Sequence, residues 1–288
     1  MSQDRQDAAG AGQAPSLPTA ACFDKGFAAI AASPGIRRVW DTVDPHLSPE
    51  IEPFSFVSVD LLHHVAQALA LSPAETLVDL GCGRGGPGLW LAQSQGASLI
   101  GVDFSAIAVQ QANDRAVLFG LADTARFVVG DLAATGLPAA SADAVVSIDA
   151  LHFAADLAAA GREVLRVLRP GHRLVLTSWQ PRTTDDDRLP SRLRIDWPRR
   201  WARSALSTCR WSPGPSGTSY SLGSTGSRSI LVAQATTSGS PGCRTRRAST
   251  SRSQNSLTGS WSRRPTPRPE SQLVLPASPP TACCSRRW

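Results

Sequence analysis

The stretch Thr76-Leu77-Val78-Asp79-Leu80-Gly81-Cys82-Gly83-Arg84-Gly85-Gly86-Pro87-Gly88 constrains this chain more than any other. It reads as a buried strand carrying an acid, then a glycine-rich turn, then the start of a helix. Glycine tolerates positive φ and has no Cβ, so a ligand can approach such a backbone closely. The helix behind the turn offers N–H groups with no partner inside the helix. A nucleotide-like ligand seated on a βα turn is the expectation.

Strand and helix patterns alternate around this turn. Glu75–Leu80, Ala97–Asp103, Ala125–Val129, Ala142–Asp149 and His172–Trp179 read as strands. Gly86–Gln95, Ser105–Gly120 and Ala155–Leu168 read as helices, with Ser105 as an N-cap and Gly120 as a stop. Such alternation implies βαβ units and a parallel sheet with right-handed crossovers. Upstream, Phe23–Arg38 suits one or two helices. Phe54–Leu71 places Val57, Leu61, Leu62, Val65, Leu69 and Leu71 near helical spacing and reads as a helix that Ser72-Pro73 breaks. His63 and His64 read as a partly exposed helical pair. Residues 1–20, rich in Ala, Gly, Gln and Pro, read as disordered.

Two ligand classes fit the turn. Gly81-x-Gly83-x-x-Gly86 matches a dinucleotide fingerprint, with Asp103 ending the next strand where an acid would hold ribose hydroxyls. That reading makes the chain an NAD(P)-dependent oxidoreductase. The surrounding acids weigh against it. Asp79 stands two residues before the first glycine, Asp131 follows the third strand and Asp149 ends the fourth. A crown of carboxylates at the strand ends repels a pyrophosphate. It suits a ligand with a positively charged amino group and a sulfonium attached to adenosine.

The chain here resembles the class I S-adenosylmethionine-dependent methyltransferases, in particular those acting on small molecules. The matching pieces are Val78–Gly85, Gly101-Val102-Asp103-Phe104-Ser105, Gly130-Asp131-Leu132, Asp143–Ser147 and Leu168–Leu174, in the family's order and spacing. The likeness covers roughly Phe54 to Trp179. It implies an α/β, Rossmann-like doubly wound sheet, mainly parallel, with helices on both faces. It implies S-adenosyl-L-methionine as cofactor, held by Asp79, Gly81, Gly83, Gly85, Asp103, Phe104, Asp131, Leu132 and Asp149. Asp79 would orient the amino group, Asp103 the ribose and Asp131 the adenine. The reaction implied is methyl transfer to an O, N or C atom of a small-molecule acceptor. His152, just past the fourth strand, is the candidate catalytic base.

Composition divides the chain. Residues 1–197 hold 15 Lys+Arg against 22 Asp+Glu, net −7; residues 198–288 hold 14 Arg against the single acid Glu270, net +13, which together give the chain's +6. After Trp197 the strand–helix grammar stops, and Ser, Arg, Pro, Thr and Gly dominate. One reading is a basic tail for nucleic acid. The other, favoured, is a reading-frame shift near Pro198–Arg203 in a GC-rich gene, since Lys25 is the one lysine against 28 Arg. Reading from each third base lets Thr281–Trp288 encode Arg-Val-Leu-Phe-Ala-Ala-Val, a strand-like string. A scrambled end would expose the edge of the fifth strand and leave the chain poorly stable or inactive. The expected organisation is thus a disordered 1–20, a helical cap 21–72, a cofactor-binding core 73–197 and an irregular tail 198–288.

Other classes are set aside. No apolar run reaches the roughly 18 residues needed to cross a bilayer. The N-terminus carries Asp4, Arg5 and Asp7 without an apolar core. A cytoplasmic location without membrane partner follows. Six cysteines form no C-x-x-C pair, so no metal is expected, and Cys82 reads as a small turn residue. Nothing in the sequence fixes an oligomeric state.

Overall fold

Apolar runs buried on both sides build the centre of the molecule. A computed structural model describes residues 17–55, 57–181, 195–197, 199, 210–213, 219–222 and 226–234. All of them fall in one compact unit, residues 1–237 with 286–288; a second, 238–285, lies outside the described residues. Strands β1 (Thr76–Leu80), β2 (Ser98–Asp103), β3 (Ala125–Val129), β4 (Ala142–Ile148) and β5 (Leu168–Pro181) pair in parallel in the order β3-β2-β1-β4-β5. Helices α4 (Gly86–Gln95), α5 (Ala106–Ala116) and α6 (Leu157–Val167) connect strands of this sheet. Ahead of them come α1 (Ala20–Ala31), α2 (Pro34–Val43) and α3 (Val59–Leu69).

Alternation along the strands divides the core into two layers. Leu77, Leu99, Val146 and Val175 pack against Val65 and Leu69 of α3, Leu89 of α4 and Ala112 of α5. Val78, Ile100, Val145 and Leu174 face the other way, against Val164 and Val167 of α6 and Trp197. The strand order reverses direction between β1 and β4, and a doubly wound sheet opens its ligand crevice at such a point.

The helix ends follow the side chains that cap them. Ser58 and Ser105 accept from the N–H groups of Leu61 (3.2 Å) and Ala108 (3.1 Å), starting α3 and α5. Asp156 accepts from Ala158 (2.8 Å) and Ala159 (3.0 Å), so α6 starts two residues later than the apolar pattern suggests. Helix α3 is shorter than Phe54–Leu71; the residues before Ser58 form a loop. Residues 1–16 of the stretch expected to be disordered lie outside the described residues, whereas Leu17 and Pro18 are placed and Ala20 begins α1.

The expected bare edge of the fifth strand is corrected by the structure. Strand β8 (Gly226–Gln234) pairs antiparallel with β5 from Arg173↔Gln234 to Pro181↔Gly226. On its outer side β8 pairs with β6 (Arg210–Pro213) and β7 (Ser219–Leu222), completing eight described strands. The reason is the run Ile230-Leu231-Val232-Ala233. Ile230, with Val232 beside it, enters one core layer, and Ala233, with Leu231, enters the other. Four apolar residues suffice for a strand with both faces covered. The rest of the 198–288 segment, on which the frame-shift reading mainly falls, lies outside the described residues.

Candidate functional site

The glycine turn is held by backbone bonds and by the acid that follows it on β2. Gly81 and Cys82 donate their N–H groups to the Val102 carbonyl (2.8 and 3.1 Å). Gly83 N–H donates to Asp103 Oδ2 (2.8 Å), and Ser105 N–H to Asp103 Oδ1 (2.9 Å). Three glycines of the turn have left-handed φ: 72° at Gly81, 52° at Gly83 and 80° at Gly85. At Gly81 a side chain would also run into the Ala150 methyl, and at Gly86 into the Ile51 carbonyl. Gly88 has no room because the Asp79 carboxylate lies beside it.

A cavity of about 200 Å³ opens over this turn at the carboxyl ends of β1, β2 and β4. Asp79, Gly81, Gly83, Asp103, Phe104 and Asp131 line it, together with Leu132 and Asp149. Eight of the ten residues singled out from the sequence thus share one cavity. Gly85 is not among the lining residues; its missing Cβ makes room for the Phe127 ring (2.9 Å) and Ala112 (3.0 Å). His152 does not line the cavity either. It is 5% exposed, with its ring 4.2 Å from that of Phe153, which does line it. His63 packs edge-on against Trp90, and His64 Nδ1 bonds the Asp60 carbonyl (2.7 Å), which leaves this pair on α3 outside the cavity lining.

The acids differ in their surroundings. Asp79 is 3% exposed and lines the cavity. Burial, reinforced by the Asp103 charge, pushes its pKa up from 3.8 to about 7. Asp103 is raised by burial too, but the N–H groups of Ser105 and Gly83 counter that rise. Asp131 accepts from Ala133 N–H (2.8 Å) in a tight side-chain turn. Asp149, at φ 52°, takes the Thr177 hydroxyl on Oδ1 (2.7 Å). Burial raises the Cys82 thiol well above its ordinary value, so it stays neutral and serves as packing under the turn. A buried carboxylate that lines a cavity suits a cation, and an amino acid's ammonium supplies one.

The lining is also aromatic, and Phe104 apart, local sequence patterns did not flag it. Phe23 and Phe27 come from α1, Phe54 from the loop before α3, Phe104 from the end of β2 and Phe153 from the 3-10 turn Leu151–Phe153. Five of the chain's eight phenylalanines meet here, from segments up to 130 residues apart in sequence, so no spacing rule finds them. Helix α1 is docked by Asp24, which accepts from Ser105 Oγ (2.5 Å) and Ile107 N–H (3.4 Å). At the rim, Glu52 receives Arg84 (2.9 Å) and Arg115 (2.8 Å). The arginine of the turn is therefore already paired.

At the amino ends of the strands, Glu75, Asp143 and His172 offer ligand atoms within 4.8 Å of one another. Asp143 already receives Arg169 on one oxygen and Thr76 N–H (2.9 Å) on the other, so the group staples strand ends together.

Residues 78–176 match the family described as methyltransferase domain. Over this segment the chain is similar to the class I S-adenosylmethionine-dependent methyltransferases. The chain is 34% identical over 145 residues to 2-methyl-6-phytyl-1,4-hydroquinone methyltransferase of Synechocystis, covering 49% of this chain and 44% of that protein. It is 35% identical over 116 residues to 27-O-demethylrifamycin SV methyltransferase of Amycolatopsis mediterranei, covering 40% and 43%. It spans less than half the length of each of these curated relatives. Among solved structures, the cyclase SpnF has a TM-score of 0.53 at 24% identity, over 62% of this chain and 80% of that one. SpnF is named a cyclase, so this likeness concerns the fold of the methyltransferase domain alone. The family match ends at Leu176, ahead of the strand β8 that closes the sheet.

Proposed function

We propose that the whole chain is an S-adenosylmethionine-dependent methyltransferase acting on a small-molecule acceptor. On this reading residues 73–197 hold the cofactor, and 21–72 cover it. The observation that carries the reading is Asp79: a buried carboxylate that lines the cavity, at a glycine turn that takes a ligand close to the backbone. The residues present suit S-adenosylmethionine on that ground, because its ammonium would pair with this buried carboxylate. When bound, it supplies an electrophilic methyl group on a positively charged sulfur, transferred in line to an acceptor lone pair.

The protein's part is alignment and dryness. Asp79 gives up its proton and accepts from the ammonium. Asp103, already fixed by two backbone N–H groups, keeps lone pairs for the ribose hydroxyls. Asp131 and Leu132 flank the adenine, Gly85 shapes the turn from below, and Asp149 stands at the methionine end. The phenylalanine wall excludes water from the reacting methyl. His152, packed on Phe153, is the proposed base, acting on an acceptor hydroxyl only after a shift of that ring pair.

Calorimetry on the full chain tests this. S-adenosylhomocysteine should bind in micromolar range or tighter, about −8 kcal/mol, and NAD should not. Binding of NAD alone would make the dinucleotide reading correct instead. A His152→Ala variant with full turnover would remove His152 from the mechanism and leave the cofactor assignment standing.

A further inference from the structure

The cavity is lined by acids and glycines and also by phenylalanines, and of these phenylalanines only Phe104 belongs to the cofactor reading. Phe23 is the hub of these rings. Its ring centroid lies 6.0 Å from Phe27, 5.9 Å from Phe54, 5.2 Å from Phe104 and 5.3 Å from Phe153, edge-on at 82° in the last case. Phe27 and Phe54 close the group at 4.8 Å. Leu17, Pro18 and Pro53 extend it, and Ala154 and Ala155 continue it past Phe153. Phe54 keeps 48% of its surface exposed although it lines the cavity and touches two other rings. Apolar surface left uncovered beside a cavity gains free energy when a ligand of like character covers it.

We propose that this phenylalanine wall is the acceptor subsite, and that it takes an uncharged, ring-bearing apolar acceptor. The proposal rests on the methyl-transfer reading above. Charge selects the acceptor as much as shape does. Asp79, Asp103, Asp131 and Asp149 face the same cavity, so an anionic acceptor enters against four carboxylates. Arg84, the cation of the turn, is held by Glu52 and offers no compensation. A protonated amine has no lone pair with which to attack the methyl. A neutral ring loses little on entry and gains about 0.5–1.5 kcal/mol per aromatic pair beyond area burial.

A matched pair of probes tests the subsite. The full chain, saturated with S-adenosylhomocysteine and also without it, is titrated with 2-naphthol and with its anionic twin 6-hydroxy-2-naphthoate, following their fluorescence. The expected result is saturable binding of 2-naphthol, with the carboxylate twin about tenfold or more weaker. Phe54→Ala and Phe153→Ala should each weaken 2-naphthol about fivefold, while calorimetry shows S-adenosylhomocysteine affinity within about twofold of wild type. Phe54 is half exposed, so its variant carries the test if Phe153→Ala unfolds, and a thermal melt on each sample decides that. Equal binding of the twins, or 2-naphthol binding indifferent to Phe54→Ala, overturns the subsite. Binding of 2-naphthol that needs Phe54, in a chain that does not bind S-adenosylhomocysteine, overturns methyl transfer and keeps the subsite. The reverse pattern overturns the subsite alone, and failure of both ligands overturns both.

Discussion

Asp79 carries opposite consequences for the free and the liganded chain. Its pKa of about 7 in the fold, against 3.8 ordinarily, means the folded chain keeps a proton that the unfolded chain has released. Its contribution to stability is therefore full below pH 3.8 and is lost as pH rises through about 7. Three pKa units correspond to roughly 4 kcal/mol at most. Replacing Asp79 with Asn removes this loss, so urea unfolding should show the variant gaining on wild type between about pH 5 and about pH 8. A pH-independent difference would contradict the assignment. For a ligand with an ammonium the slope is reversed. Affinity for S-adenosylhomocysteine should climb by up to about tenfold per pH unit toward pH 7 and level off above it, and Asp79→Asn should flatten that profile. At Gly81, Gly→Ala meets both a φ of 72° and the Ala150 methyl. The left-handed conformation alone costs about 1–2 kcal/mol, so a lower melting temperature together with lost cofactor affinity is expected.

At the scale of elements, β8 and α1 are the segments whose placement the fold decides. Strand β8 contributes Ile230, 4% exposed, to the layer that also holds α3 and α4. Ile230→Ala should cost about 2–5 kcal/mol in urea denaturation; a loss under about 0.5 kcal/mol, usual for surface sites, would mean that β8 does not cover β5 in solution. Helix α1 buries only Phe27 and is tied down at the start of α5 by Asp24. Asp24→Asn keeps the size of the side chain but removes a carboxylate from a helix N-terminus, an effect of about 0.5–1 kcal/mol. It should loosen the cover, read as faster amide exchange in α1 with α6 unchanged.

For the molecule as a whole, the cavity draws its walls from the N-terminal segment, the loop before α3, and the ends of β1, β2 and β4. A ligand touching all of them stabilises the folded state by mass action, about 2.7 kcal/mol at a concentration 100 times its dissociation constant. S-adenosylhomocysteine should therefore raise the thermal midpoint of the full chain in a concentration-dependent way. A midpoint unmoved at saturating ligand would show that these segments do not close on it together. Among the described residues no helix is long and apolar enough to cross a membrane.

The parallel sheet and the acids of the turn were legible from local pattern. Buried strands, caps and glycine turns are set by neighbours in sequence, and Asp79, Asp103 and Asp131 sit at fixed offsets from them. The N-cap at Ser105 followed from the same logic, since one hydroxyl and one backbone N–H define it. Three features needed the tertiary structure. The glycine at 85, besides its left-handed φ in the turn, makes room for the Phe127 ring, because what a missing Cβ admits depends on a strand forty residues away. His152 turned out to lie beside Phe153 and off the cavity wall, a matter of rotation within one short turn. The phenylalanine wall and the strand over β5 depend on residues far apart in sequence, where hydrophobic contact has no period to read. The sequence by itself determined the glycine turn and the charges around it; which distant side chains line the cavity with them was decided only when the chain folded.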